Sequence, residues 1–365
     1  MTEKLLCQLP PPLKPGDLLR VVSPSGTLRE FEAFQKGLEI WRSRGYKLEL
    51  QSNWDAREGY LAGKDSERRQ QLAQAWKDPE CRGILCTRGG YGSARLLEEW
   101  TWPLLTVEGE GERGREGEGE LFNCFPTRGK ETSPFDFAAD FGVSAQSNAE
   151  PVEVQGHKAT PSPSHPLTPS SLKWLIGFSD ITGLLWSLSQ LGVSGVHGPV
   201  LTSLADEPEW SLNRLFDCVE GRPLLPLTGI GWGSGKVRGI LLPANLTVAT
   251  HLLGTSVQPK LDGVILALED VTEAPYRIDR MLTQWRMSGA FKGVRGIALG
   301  RFSRCEPPKN IPSWTVEEVL RDRLSDLGIP IVSNLPFGHE GANAALPVGQ
   351  PVQLDADNGI LSWEA

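Results

Sequence analysis

The sequence predicts an α/β protein in two domains, the first built on a mainly parallel sheet. Three observations carry that expectation. The 365 residues exceed what one ordinary core organises. A strand, loop, helix grammar recurs three times in the first half. The second half reads as short apolar runs with two helices between them, a mixed and more sheet-rich pattern. The expected division is residues 1–220, a linker over 221–236 rich in Pro and Gly, and a second domain over 237–365.

The first unit is the apolar run Leu18 to Val22, the turn signal Ser23-Pro24-Ser25-Gly26, and apolar residues at helical spacing, Phe31, Phe34, Leu38 and Trp41. The second is the run from Gly83, the loop Arg88-Gly89-Gly90-Tyr91-Gly92, and a helix over Ser93 to Glu99. The third is Trp174 to Phe178, then Ser179-Asp180, then an amphipathic run from Ile181 to Leu191. In an open parallel sheet, ligands bind beyond the carboxyl ends of the strands, which is where both the glycine loop and Ser179 fall.

Between the second and third units, residues 101–170 differ in kind. Glu108 to Glu120 holds six Glu, five Gly and two Arg, and residues 151–170 carry five prolines. Such composition buries too little apolar surface to offset ordering entropy, so a solvated loop insertion is expected. In the second half, the strand-like runs are Val237 to Leu242, Gly263 to Leu268, Gly296 to Leu299, Pro330 to Ser333 and Val352 to Leu354. Helices are expected over Pro275 to Met287 and Val316 to Leu327.

Composition excludes several classes of function. A net charge of -8 gives no footprint for nucleic acid. The six cysteines are scattered, with no CxxC pair and no His at zinc spacing, so no metal is expected and reduced thiols are. The N-terminal residues lack the apolar core of a signal peptide, and the most apolar later stretch, Gly239 to Gly254, is too short and too interrupted to span a bilayer. A cytoplasmic protein without membrane partners is expected.

Ser179, between a strand and a helix and preceded by Gly177, has two readings: a helix cap, which local sequence alone favours, or the nucleophile of a sharp elbow. A nucleophilic serine needs a base, and there are five histidines. His157 and His165 lie in the insertion, and His251 lies in an apolar helical run where a core position is expected. His197 in Gly195-Val196-His197-Gly198-Pro199 and His339 in Pro336-Phe337-Gly338-His339 remain, the latter preferred because its loop is open. For the carboxylate that orients the imidazole, Glu269, Asp270 and Glu273 compete. Glu269 is preferred because it ends an apolar strand. The glycine loop admits a phosphate-binding reading, but it lacks both the dinucleotide and the P-loop spacing. Beside a nucleophile, its N–H groups, that of Gly90 foremost, would complete an oxyanion hole.

Together these segments resemble the LD-carboxypeptidase family of serine peptidases, to which the microcin C immunity peptidases are related. The resemblance rests on Leu85 to Leu97, Ile176-Gly177-Phe178-Ser179-Asp180-Ile181-Thr182, Val196-His197-Gly198-Pro199, Leu268 to Leu282, and Pro336 to His339, in family order. It implies a triad of Ser179, Glu269 and His339, an oxyanion hole from Gly90 and the Asp180 N–H, and a structural role for His197. It further implies an N-terminal domain like the class I glutamine amidotransferases, a C-terminal domain supplying Glu and His, a homodimer, and no cofactor. The implied reaction releases C-terminal D-alanine from murein tetrapeptide in peptidoglycan recycling. Arg88 or Arg277 would meet the terminal carboxylate of this muropeptide, although surface ion pairing is the commoner fate of either. Two departures stand out: the family's Gly-Gly-Asn-Leu is here Pro243-Ala244-Asn245-Leu246, and the 101–170 segment is longer than usual. The competing readings are a peptidase acting on peptide-nucleotide antibiotics, with Trp100, Trp102 and Trp232 as base-stacking surfaces, and a non-catalytic muropeptide binder.

Overall fold

Strands that are apolar without alternation are buried on both faces, the signature of a central parallel strand. In a computed structural model of the protein, which describes residues 6–51, 53–103, 172–307 and 309–363, this pattern builds the first sheet. The insertion therefore lies outside the described residues except at its edge. β1 (Leu18–Val22) is followed by α1 (Phe31–Ser43), β2 (Lys47–Leu50), α2 (Asp65–Lys77), β3 (Cys81–Cys86) and α3 (Ser93–Leu96). After the insertion come β4 (Trp174–Gly177), α4 (Thr182–Ser189), β5 (Val196–His197) and α5 (Glu209–Val219). β2, β1, β3, β4 and β5 pair in that order, all parallel. α1 buries Phe34, Gly37, Leu38 and Trp41 against this sheet. A Cβ on Gly37 would stand 2.0 Å from the Leu201 carbonyl oxygen, so only glycine lets the helix pack there.

The segment 221–236, read from its Pro and Gly content as a linker, carries two short strands: β6 (Leu227–Thr228) and β7 (Ile230–Trp232). They form the two edges of the second sheet. The segment's glycines permit close backbone approach: a Cβ on Gly231 would fall 1.8 Å from the Ala356 carbonyl oxygen. A glycine inside a strand marks such a close approach.

The second sheet continues through β8 (Lys236–Asn245), α6 (Leu246–Leu252), β9 (Val264–Val271), α7 (Pro275–Met287), β10 (Gly296–Ser303), α8 (Val316–Leu324) and β11 (Ile331–Ser333). β12 (Leu346–Pro347), β13 (Pro351–Asp355) and β14 (Ile360–Trp363) follow. β8 to β11 run parallel, while β13, β14, β6 and β7 are antiparallel. α7 begins at Pro275 and buries Ile278, Met281, Leu282 and Trp285, as its spacing predicts. β12 leaves this sheet and pairs antiparallel with β5 in the first. The sheets are also joined by packing: α4 lies against β8, with the Trp186 indole N–H donating to the Pro243 carbonyl at 3.1 Å. Among the described residues, no helix is long and apolar enough to cross a membrane.

Candidate active site

β4 ends in Gly177, whose Cβ, if present, would meet Ile181 Cγ1 at 2.8 Å, so the chain can turn sharply there. Ser179 then adopts φ 61°, a left-handed conformation that costs a non-glycine residue about 1–3 kcal/mol and persists only where the surroundings impose it. The surroundings are those of Asp180. Its buried carboxylate accepts from Ser25 Oγ at 2.6 Å and from the Ser93 N–H at 2.8 Å. One side chain therefore ties the loops after β1 and β3 to the turn after β4. Ser179 is the first residue of a short 3₁₀ turn whose cap position is taken by Phe178. The local cap reading is therefore not what the geometry shows, and Ser179 is partly exposed just beyond the carboxyl end of β4.

The glycine loop follows β3, the strand beside β4. A Cβ on Gly89 would lie 3.2 Å from Ser179 Oγ and 3.1 Å from its Cβ, so this backbone approaches the serine closely. Gly90 has φ 108° and Gly92 φ 123°, conformations that demand glycine. Arg68, fully buried on α2, donates to the carbonyls of Pro24 and Gly92 and braces the loop from behind.

His339 and Glu269 are brought together from distant parts of the chain. The fully buried Glu269 carboxylate accepts from His339 Nδ1 at 2.6 Å. The imidazole lies 4.7 Å, ring centroid to centroid, from Phe178, the residue before Ser179. β9 extends to Val271, so Glu269 lies within the strand rather than ending it. Its two competitors are engaged elsewhere. Asp270, on the opposite face, accepts from the Thr247 N–H at 2.9 Å and hydroxyl at 2.8 Å. Burial pushes its carboxyl up to about 6, and the Glu269 charge acts in the same direction. Glu273 faces Arg277 at 3.5 Å.

Asn245, noted in the sequence only within a departure from family pattern, connects these groups. Its Nδ2 donates to Glu269 at 3.2 Å and to Asp270 at 3.1 Å, while its Oδ1 accepts from the Val248 N–H at 3.1 Å and caps α6. Its own N–H donates to Thr182 Oγ1 at 3.0 Å, reaching the helix that follows Ser179. An asparagine directly before an apolar helical run is the signal that marks it as a cap.

His197 is wholly buried, beside Phe178 at 6.0 Å, with neither ring nitrogen hydrogen-bonded, and burial lowers it to about 4. It is neutral near pH 7. His251, expected in the core, is exposed on α6 with Nδ1 2.7 Å from the Thr247 carbonyl oxygen, because the apolar residues around it occupy the other helix face. Arg88 donates to the Thr27 carbonyl at 2.7 Å with Glu30 at 3.5 Å, and Arg277 is exposed beside Glu273 and Tyr276. Trp102 and Trp232 are buried, Trp102 packing between Trp76 and Trp100, so neither offers an open face for stacking a base. Among the described residues, no cluster of three or more His, Cys, Asp or Glu is placed to hold a metal ion.

The profile of the LD-carboxypeptidase N-terminal domain matches residues 19–109, and that of the LD-carboxypeptidase C-terminal domain matches residues 238–354. Gly90 lies in the first match and Glu269 and His339 in the second; Ser179 falls between them. A Synechocystis sp. protein named as a carboxypeptidase is 51% identical over 97% of this chain and 96% of its own length. The murein tetrapeptide carboxypeptidase of Pseudomonas aeruginosa is 27% identical over 91% of this chain and 90% of its own. The crystal structure of muramoyltetrapeptide carboxypeptidase from Oxalobacter formigenes shares the fold with a TM-score of 0.67 at 24% identity, covering 94% of this chain and 97% of that one. With half its residues identical to a relative along nearly the whole of both sequences, the chain belongs to the LD-carboxypeptidase family.

Proposed function

We propose that the protein is a serine LD-carboxypeptidase that releases C-terminal D-alanine from murein tetrapeptide in peptidoglycan recycling, with Ser179 as nucleophile, His339 as base and Glu269 as the orienting acid. The observation that carries this reading is the 2.6 Å bond from His339 Nδ1 to a fully buried carboxylate, with the imidazole against the residue preceding a strained serine. With Nδ1 engaged by Glu269, Nε2 is the nitrogen free to take the Ser179 proton. The serine oxygen then attacks the carbonyl carbon of the L,D-amide, and the N–H groups of Gly90 and Asp180 receive the oxyanion. His339 returns the proton to the departing amine of D-alanine, and water repeats the sequence on the acyl-enzyme.

Within this reading, the nucleophile belongs to a domain over residues 1–220 and the acid and base to one over 237–365. Of the two arginine candidates for the substrate carboxylate we favour Arg88, whose loop also carries Gly89. The protein is proposed to act in the cytoplasm as a homodimer, which size-exclusion chromatography with light scattering checks. The central test is incubation of purified protein with murein tetrapeptide beside Ser179→Ala. Absence of D-alanine release by the wild type sinks the carboxypeptidase reading; release undiminished in the variant sinks the nucleophile. Cleavage of a peptide-nucleotide conjugate in place of tetrapeptide would favour the antibiotic-directed alternative, and binding of tetrapeptide without turnover the non-catalytic one.

A further inference from the structure

His339 is carried on a loop between β11 in the second sheet and β12 in the first, with no strand pairing along residues 334–345. A general base must be held within about 0.5 Å of its working position, and a glycine-containing loop does not hold itself. Neighbouring elements must hold it. The register of β9 and β10 identifies where the main support comes from. Leu299 pairs with Leu268 and Phe302 with Asp270, so Gly300 and Arg301 together stand opposite the single residue Glu269. The extra residue is a β-bulge, a device that re-aims a side chain and is over-represented beside active sites.

Both bulge residues grip the His339 loop. A Cβ on Gly300 would overlap Phe337, 2.5 Å from its ring and from its carbonyl oxygen, so glycine here admits the loop. The Arg301 N–H donates to that same Phe337 carbonyl at 2.8 Å. Its guanidinium then crosses the loop, with Nη1 donating to the carbonyls of Glu340 at 2.5 Å and Ala342 at 3.1 Å. Gly341, at φ 66°, leaves the space: a Cβ there would be 3.0 Å from the Arg301 Cζ. From the first half of the chain, the half-buried Glu207 carboxylate accepts the Asn343 N–H at 2.8 Å, and Asn343 Oδ1 accepts the Gly338 N–H at 3.1 Å.

We propose that Arg301 is a positioning residue for the base: seated on the bulge opposite Glu269, its guanidinium clamps residues 340 and 342 and so keeps the His339 ring on the Glu269 carboxylate. The inference rests on the reading of His339 as the base. The test compares wild type, Arg301→Ala and Arg301→Lys by kcat and KM for D-alanine release, by the low-field imidazole N–H proton resonance of His339, and by thermal unfolding. Misplacement on the scale of 1 Å costs about 10²-fold, so Arg301→Ala should lose about that factor in kcat with KM near the wild-type value. Its low-field resonance should vanish, and added guanidinium ion should restore part of both. Arg301→Lys, which keeps the charge on a shorter side chain whose ammonium does not reach as far as Nη1, should fall between. A folded Arg301→Ala with wild-type kcat and an unchanged resonance overturns the proposal. Should Arg301→Ala not fold, Arg301→Lys decides: wild-type kcat with the resonance intact overturns the clamp, while reduced kcat with a broadened resonance supports it. The resonance needs no substrate. A wild type that releases no D-alanine, yet loses the signal on Arg301→Ala, refutes the murein reading and leaves the clamp standing.

Discussion

Replacing Glu269 by glutamine alters the hydrogen-bonding sense of one oxygen while conserving side-chain volume, and the surroundings determine where the new amide nitrogen goes. Asn245 cannot turn to receive it, because its Oδ1 accepts the Val248 N–H and its Nδ2 donates to both Glu269 and Asp270. In Glu269→Gln, an amide nitrogen facing Asn245 would set donor against donor in a fully buried place, a conflict of about 1–3 kcal/mol. The amide therefore turns the other way and donates to His339 Nδ1. The imidazole must then accept there and carry its own proton on Nε2, the tautomer that cannot take a proton from serine. Conversion of a triad carboxylate to an amide costs about 10⁴-fold in kcat, or ~5 kcal/mol of transition-state stabilisation, with KM little changed. D-alanine release, followed with a coupled D-amino acid oxidase assay on protein shown by circular dichroism to be folded, measures it. Retention by Glu269→Gln of a kcat within about one decade of wild type would refute the assignment of the tautomer to Glu269.

Other outcomes follow from the same geometry. Gly89→Ala places a methyl 3.2 Å from Ser179 Oγ at an ordinary backbone φ, so kcat should fall by about tenfold or more, while thermal unfolding shifts little. Asp180→Ala strands the Ser25 hydroxyl and the Ser93 N–H in the interior and should destabilise by about 2–6 kcal/mol in urea unfolding. Asp270 is raised to about 6 in the folded protein, so the native state keeps a proton that the unfolded chain releases between about pH 4 and 6. That contribution is complete below about pH 4 and is lost as pH rises through 6, by about 3 kcal/mol in all. Urea unfolding across this range should show the decline in wild type and its absence in Asp270→Asn; parallel curves would count against it.

What the sequence discloses about this site depends on whether a residue's role is local. The turn at Ser179 is legible because strand, glycine and helix flank it directly, although those neighbours alone favour a cap. α7 is legible to the residue, since Pro275 and four apolar positions declare both its start and its face. Glu269 and Asp270 are neighbours on a strand, so one faces His339 and the other α6, and no local pattern says which face meets which partner. β5 and β12, two residues each, are too short to show any period. α2 and α5 carry their helical spacing only in part of their length, through Leu72, Ala75 and Trp76 and through Leu215, Phe216 and Val219, all buried. The strands β6 and β7 within 221–236 were hidden by its Pro and Gly content, because composition does not show where backbones must approach closely. Local chemistry gave only a preference for His339 and Glu269 among several histidines and carboxylates, and the resemblance implied the set of three as a whole.

The crossing of β12 into the first sheet bears on how such a molecule can be altered by recombination. The loop bearing His339 departs from one sheet and is moored, a few residues later, on the edge of the other beside β5. The C-terminal half is thus no detachable cassette. A graft of residues 237–365 from a relative would bring its own mooring strand, and unless that strand matched the recipient's β5, the histidine would arrive out of place even with every residue of the donor half intact. Recombination in this family should therefore favour whole chains, or exchanges that carry β5 and β12 together.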